Sequence, residues 1–182
     1  MSGSPRFRAG LAAALLFAAA ACALADDSCS LMVPGPVLQP HAYPAQTLDE
    51  RSKHTSMESA SPHPGLRIDI RQDGCEDFVT TSFTLTVARG REAERSEDEW
   101  IAFARAEIAG LKTREPKRFK DLDAFLAKAR RIAPREGERV LCRDGSAADA
   151  GACSWDSLGG YSVSVKRGSK ATTISVTEYL SA

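Results

Sequence analysis

From Gly65 onward the chain alternates apolar and polar residues. Leu66, Ile68 and Ile70 interleave with Arg67, Asp69 and Arg71, and Val79, Thr81, Phe83, Leu85 and Val87 interleave with Thr80, Ser82, Thr84 and Thr86. A period of two puts each set on one face of a strand, so two half-buried strands with one wet face are predicted. Asp73-Gly74 is a turn signal between them, and a β-hairpin over residues 66 to 88 follows, with Cys75 at its tip.

The period then becomes helical. Ser96 and Glu99 have the spacing of a capping box, Glu97 and Asp98 suit the positive start of a helix, and Trp100, Phe103, Ala104, Ile108 and Leu111 recur on one side. Pro116 interrupts this pattern, and a second amphipathic stretch carries Phe119, Leu122, Phe125, Leu126, Ala129 and Ile132 up to Pro134. Strand patterning resumes over residues 139 to 143, 161 to 166 and 171 to 179, with a turn at Arg167-Gly168-Ser169. Tyr161, Val163 and Val165 can then face the core with Ile174 and Val176. The expected architecture is α+β: an antiparallel sheet with two amphipathic helices packed on one face, in the order ββααβββ.

Before this region the pattern fails. Residues 32 to 65 hold six of the nine prolines and all three histidines, His41, His54 and His63, with almost no periodic apolar positions. An irregular arm wrapped over the surface is expected. The N-terminus differs again: Arg6 and Arg8 precede an apolar run from Ala9 to Ala25 that ends in Ala23-Leu24-Ala25 and is cut off by Asp26-Asp27. This is the composition of a secretory signal peptide. The run is short and alanine-rich, without a basic stop-transfer flank, so no integral membrane span is expected. The chain therefore divides into a signal peptide (1–25), a proline-rich irregular arm (26–64) and a single α+β domain (65–182), with export to the periplasm or beyond. Cys22, behind Ala19-Ala20-Ala21, offers a rival reading as the lipidated cysteine of a degenerate lipobox, which would add a lipid anchor.

Composition narrows the chemistry. The precursor carries a net charge of +0 and loses two arginines with the signal, which is too balanced to point to nucleic acid. Asparagine is absent, which removes N-glycosylation sequons and the Cys-His-Asn type of catalytic site. That absence, with the Ala/Arg richness, points to a GC-rich bacterial genome. Cys29, Cys75, Cys142 and Cys153 form an even set in an exported chain, so two disulfides are expected. Proximity favours Cys142 with Cys153, which leaves Cys29 with Cys75, worth roughly 3 and about 4 kcal/mol by loop entropy. The absence of a CxxC pair argues against zinc.

Candidate chemistry is sparse. No G-x-S-x-G elbow is present, and all three histidines lie in the arm at spacings that share no helical or strand face, so neither a His-dependent catalytic site nor a metal or cofactor is expected. The carboxylate pairs Glu76-Asp77, Glu97-Asp98-Glu99 and Asp121 with Asp123 keep a glycosidase-like cleft open as an alternative. The basic run from Arg114 to Arg135 is interleaved with acids, as on a solvated helix face.

The segment Cys142 to Cys153, rich in small residues and polar at Asp144 and Asp149, reads as a tethered loop. Such loops reduce the entropic cost of binding. Trp155 and Tyr161 beside it are favoured interface residue types. Ser157-Leu158-Gly159-Gly160-Tyr161 resembles the Ser-Gly-x-x-Tyr signature of bacterial periplasmic lysozyme inhibitors over five residues, with Leu158 where that family has glycine. The expectation is an exported, non-enzymatic bacterial envelope protein that binds a protein partner through Asp144, Asp149, Trp155 and Tyr161, as an inhibitor or immunity-type factor. The alternatives are a carboxylate-dependent envelope hydrolase and a structural accessory lipoprotein.

Overall fold

A computed structural model describes residues 35–52, 54–75, 78–88, 94–134, 137–143 and 159–181. In chain order the elements are β1 (Thr47–Ser52), β2 (Thr55–Ala60), β3 (Leu66–Cys75), β4 (Phe78–Ala88), α1 (Glu97–Ala109), α2 (Lys120–Ala129), β5 (Glu138–Cys142), β6 (Gly159–Arg167) and β7 (Ala171–Ser181). The strands form one seven-stranded sheet ordered β1-β2-β3-β4-β7-β6-β5, with every neighbouring pair antiparallel. The α+β class with two helices matches the expectation.

The element order does not. The observed order is ββββααβββ, with β1 and β2 added inside the stretch read as irregular. The reason is physical: the inward positions of β2 are Ser56, Glu58 and Ala60, all buried, so the alternation is present without apolar residues to display it. A second correction concerns the hairpin. Asp73 and Gly74 lie within β3, paired with Thr80 and Val79, and the ladder runs on to Cys75 opposite Phe78. Pairing on both sides overrides the turn signal, because Asp73 also opposes Thr55 of β2 and the Gly74 N–H donates to the His54 carbonyl at 2.8 Å.

The expected disulfide staple is not seen between described side chains. Cys142 is disulfide-bonded, but its partner sulfur falls outside the described residues, as do Cys29, Cys153 and the side chain of Cys75. The pairing of these cysteines therefore stays a proposal.

The helices cover one face of the sheet. The capping box at the start of α1 is present: Glu99 N–H donates to Ser96 Oγ at 3.3 Å, and Ser96 N–H donates to Glu99 Oε2 at 2.6 Å. From α1, Trp100, Ile101, Ala104 and Ile108 are buried, and from α2, Leu122, Phe125, Leu126 and Ala129. They meet Ile68, Ile70, Phe83, Leu85, Val163, Ile174 and Val176 from the inner face of the sheet. Phe83 packs edge-on against Phe119 at 5.2 Å, an arrangement favoured by the ring quadrupoles.

Two polar devices close this core. Arg139, with its side chain 8% exposed, reaches from β5 to Glu97 (3.2 Å), Asp98 (2.9 Å) and the Ala129 carbonyl (3.0 Å). It thereby joins the acidic start of α1 to the last turn of α2, where a cation opposes the negative end of the helix dipole. At the other side of the sheet, Glu58 of β2 accepts the N–H groups of Val37 and Leu38. That anchors a strap whose residues 37–39 pair with the α1–α2 connection: Leu38 bridges Thr113, Gln39 N–H donates to the Lys112 carbonyl at 2.9 Å, and Arg114 N–H donates to the Val37 carbonyl at 2.8 Å. Val37 and Leu38 are buried.

Candidate functional site

The register carries one row of polar side chains straight across the helix-covered face. Ser56 opposes Gln72, Gln72 opposes Thr81, Thr81 opposes Glu178, Glu178 opposes Tyr161, and Tyr161 opposes Leu141. Ser56, Gln72, Thr81, Glu178 and Tyr161 are all buried. The neighbouring row is apolar at its centre, running from Glu58 through Ile70, Phe83, Val176 and Val163 to Arg139.

Arg118, in the turn before α2, donates to Thr81 Oγ1 at 3.2 Å and so roofs the middle of the polar row. Glu178 is different from its neighbours. Its residue is 3% exposed, and Oε2 is buried with no hydrogen-bond partner. Burial pushes the Glu178 carboxyl above the usual carboxylate value, against the pull of Arg118 and Arg143 and with some help from Asp121. Burial also raises the Tyr161 hydroxyl, reinforced by Glu178 and Asp121. At neutral pH Tyr161 therefore keeps its proton and remains a hydrogen-bond donor.

Beside this pair lies a cavity of about 330 Å³ between α2 and the β5–β6 hairpin, with Tyr161, Phe125 and Leu141 among its walls and Asp121, Lys128 and Arg143 at its edge. Phe125 and Tyr161 stack at 5.4 Å with an interplanar angle of 19°. Such a volume sits at the lower end of the range for small-molecule sites.

The same corner holds the base of the segment expected to bind. Cys142 pairs with Gly160, and Arg143 N–H donates to the Gly159 carbonyl at 3.0 Å. Gly159 has φ +120°, and a Cβ there would meet the Tyr179 carbonyl oxygen at 2.1 Å. Glycine is thus required where the chain enters β6. Of the expected binding residues, Tyr161 is 5% exposed and is part of the cavity wall, stacked inward instead of standing on the surface. Asp144, Asp149 and Trp155 lie outside the described residues, as does Cys22.

The other candidates separate. His63 contacts Glu107 at 3.1 Å and His54 lies beside β2, so the histidines do not converge, and among the described residues no cluster of His, Cys, Asp or Glu is placed to hold a metal. Asp123 is paired with Arg105 at 2.7 Å, which holds its carboxyl below the usual value, while Asp121 faces the cavity. Glu97 and Asp98 serve Arg139. No described helix is long and apolar enough to cross a membrane.

Glu178 escapes the sequence reading because it is polar, but its parity is legible. Ile174 and Val176 face inward, so position 178 must follow. The same rule carries Ile70 to Gln72 and Phe83 to Thr81. A polar residue that continues an inward-facing series is the signal.

The raised Glu178 carboxyl has a measurable consequence. Since the folded state binds this proton more tightly than the unfolded chain, the stability it contributes is fully present below the ordinary value of 4.5 and is lost as pH rises through the folded value. Glu178→Gln cannot ionise. Urea unfolding across pH should therefore show a variant-minus-wild-type difference that grows with pH in this window, reaching on the order of 1–3 kcal/mol in favour of the variant. Parallel pH profiles would contradict the assignment.

Comparison with known protein families, characterised proteins and solved structures finds no match to this chain.

Proposed function

We propose that this chain is an exported protein of the bacterial envelope that acts by binding a protein partner, as an inhibitor or immunity-type factor against a periplasmic or wall-directed enzyme. The recognition element is the segment between Cys142 and Tyr161. One observation carries this reading: both ends of that segment leave a fixed base, with Cys142 opposite Gly160, Arg143 bonded to Gly159, and Gly159 pressed against the Tyr179 carbonyl. A loop held at its roots loses less conformational entropy on association than a free one. Trp155, and Asp144 with Asp149, then supply the anchor and the polar contacts of the interface. Affinity capture from envelope extract should recover a stoichiometric partner with the wild-type chain and lose it with Trp155→Ala. Recovery of no stoichiometric partner would overturn the reading.

A second reading, a carboxylate-dependent envelope hydrolase, has a specific observation in its favour. Glu178 is a buried carboxyl held above its ordinary value beside Tyr161, the direction of shift that a general acid needs. Under this reading, hydrolysis of wall material by the purified protein would be abolished by Glu178→Gln. Under the binding reading, no turnover accompanies the protein and the same variant keeps its partner.

A further inference from the structure

The cavity between α2 and the β5–β6 hairpin has walls and an edge of different character. Phe125, Leu141 and Tyr161 supply its aromatic and aliphatic walls, with Ala124 at the exposed side of α2. Lys128 and Arg143, both exposed, stand at its edge from opposite sides, one on α2 and one just past β5. Neither makes an ion pair or a side-chain hydrogen bond among the described residues, whereas Arg67, Arg71, Arg105 and Arg139 are each matched with a carboxylate. Asp121 is the one acid among the described residues lining the cavity, and it lies seven residues from Lys128, about two helical turns or 10 Å along α2. Glu178 sits opposite Tyr161 on β7, buried, and is not among the residues lining the cavity.

The geometry points to a binding site for a single carboxylate attached to an apolar body: the anion between Lys128 and Arg143, the body against Phe125, Leu141 and Tyr161. Two cations lining a cavity with aromatic and aliphatic walls attract a monoanion, and Asp121 in the same lining opposes a dianion such as a phosphate monoester. Arg143 can grip a carboxylate with two parallel N–H donors, which an ammonium cannot do. The Tyr161 hydroxyl, kept protonated, is available as a further donor. The cavity volume suits a body of about one ring. This chemistry has two sources, a free organic acid and the C-terminus of a peptide ending in an apolar residue. The site uses Arg143 at the root of the segment between Cys142 and Tyr161 but none of Asp144, Asp149 and Trp155, so each claim survives the failure of the other.

The test is a titration of the ¹⁵N-labelled full chain with benzoate and with a tripeptide ending in phenylalanine with a free carboxylate, each against its amide. Saturable shifts are expected at Ala124, Lys128, Arg143 and Tyr161, with Kd on the order of 0.1–1 mM for at least one acid. The amides should bind about tenfold more weakly or not at all. Tighter binding of the tripeptide assigns the site to a chain terminus, and tighter binding of benzoate to a free acid. Lys128→Ala and Arg143→Ala, both at exposed positions, should each weaken binding about tenfold with the spectrum otherwise unchanged, while Lys170→Ala at the opposite end of the sheet should not. The absence of saturable shifts with either acid, equal binding of acid and amide, or affinity retained in both charge variants would overturn the proposal.

Discussion

Replacing Glu58 by alanine is expected to lower the free energy of unfolding by about 2–4 kcal/mol, one of two large effects that isolate single contacts in this fold. The carboxylate accepts the N–H groups of Val37 and Leu38, and both residues are buried. Alanine leaves two donors without partners, at about 1–3 kcal/mol each before any rearrangement, and water entering the space returns part of that. Burial holds the Glu58 carboxyl above its ordinary value, although the two N–H donors and Arg114 act in the other direction. Glu58→Gln keeps one good acceptor and should lose about half as much. Urea unfolding gives the magnitude, and amide hydrogen exchange at Val37 and Leu38 gives the location. Exchange there should accelerate far more than at Ile68 or Phe83. A loss within about 0.5 kcal/mol, the range of ordinary surface substitutions, would mean that Glu58 does not hold the strap.

Gly159→Ala is the second. A methyl group placed 2.1 Å from the Tyr179 carbonyl oxygen, at φ +120°, cannot be relieved by a rotamer change, because the obstacle is backbone. Either β6 shifts against β7 or the pairing of Gly159 with Leu180 and of Gly160 with Tyr179 is lost. A cost of about 3 kcal/mol is expected from strain and overpacking together. Gly35→Ala is the control, since a Cβ there meets nothing within 4 Å, and its effect should stay within about 0.5 kcal/mol. Equal stability of the two variants would show that the entry to β6 is not fixed as described.

Much of the fold is legible in the chain because apolar parity marks it. The alternations through Leu66, Ile68 and Ile70, through Phe83, Leu85 and Val87, and through Ile174 and Val176 lead directly to β3, β4 and β7, and the Ser96–Glu99 pair marks the start of α1. The same logic hides β1 and β2. Ser56 and Glu58 both point inward, and Glu58 does so to accept two backbone N–H groups, so a strand with polar inward positions at the sheet margin carries no hydrophobic signature. Asp73-Gly74 misleads for a related reason: local turn preference is worth less than ladder pairing on two sides.

The candidate site divides in the same way. Tyr161 stands out in the sequence as an aromatic beside a small-residue loop, but its stacking on Phe125 depends on α2 crossing β6, which no local pattern records. Lys128 and Arg143 are separated by a turn and a strand, and only the antiparallel β5–β6 pairing under α2 brings them to one cavity. Sequence alone places Lys128 in a solvated helix face, since its eventual neighbours are distant in the chain.

The binding reading is tested most directly by the affinity of the captured envelope partner for three forms of the full chain: wild type, Trp155→Ala and Lys170→Ala. Lys170 lies in the β6–β7 turn, at the opposite end of the sheet from the segment between Cys142 and Tyr161. A stoichiometric complex is expected with wild type and Lys170→Ala, and binding weakened by tenfold or more, about 1.4 kcal/mol, with Trp155→Ala. Equal affinity for all three forms, or a partner lost only with Lys170→Ala, would contradict the binding reading.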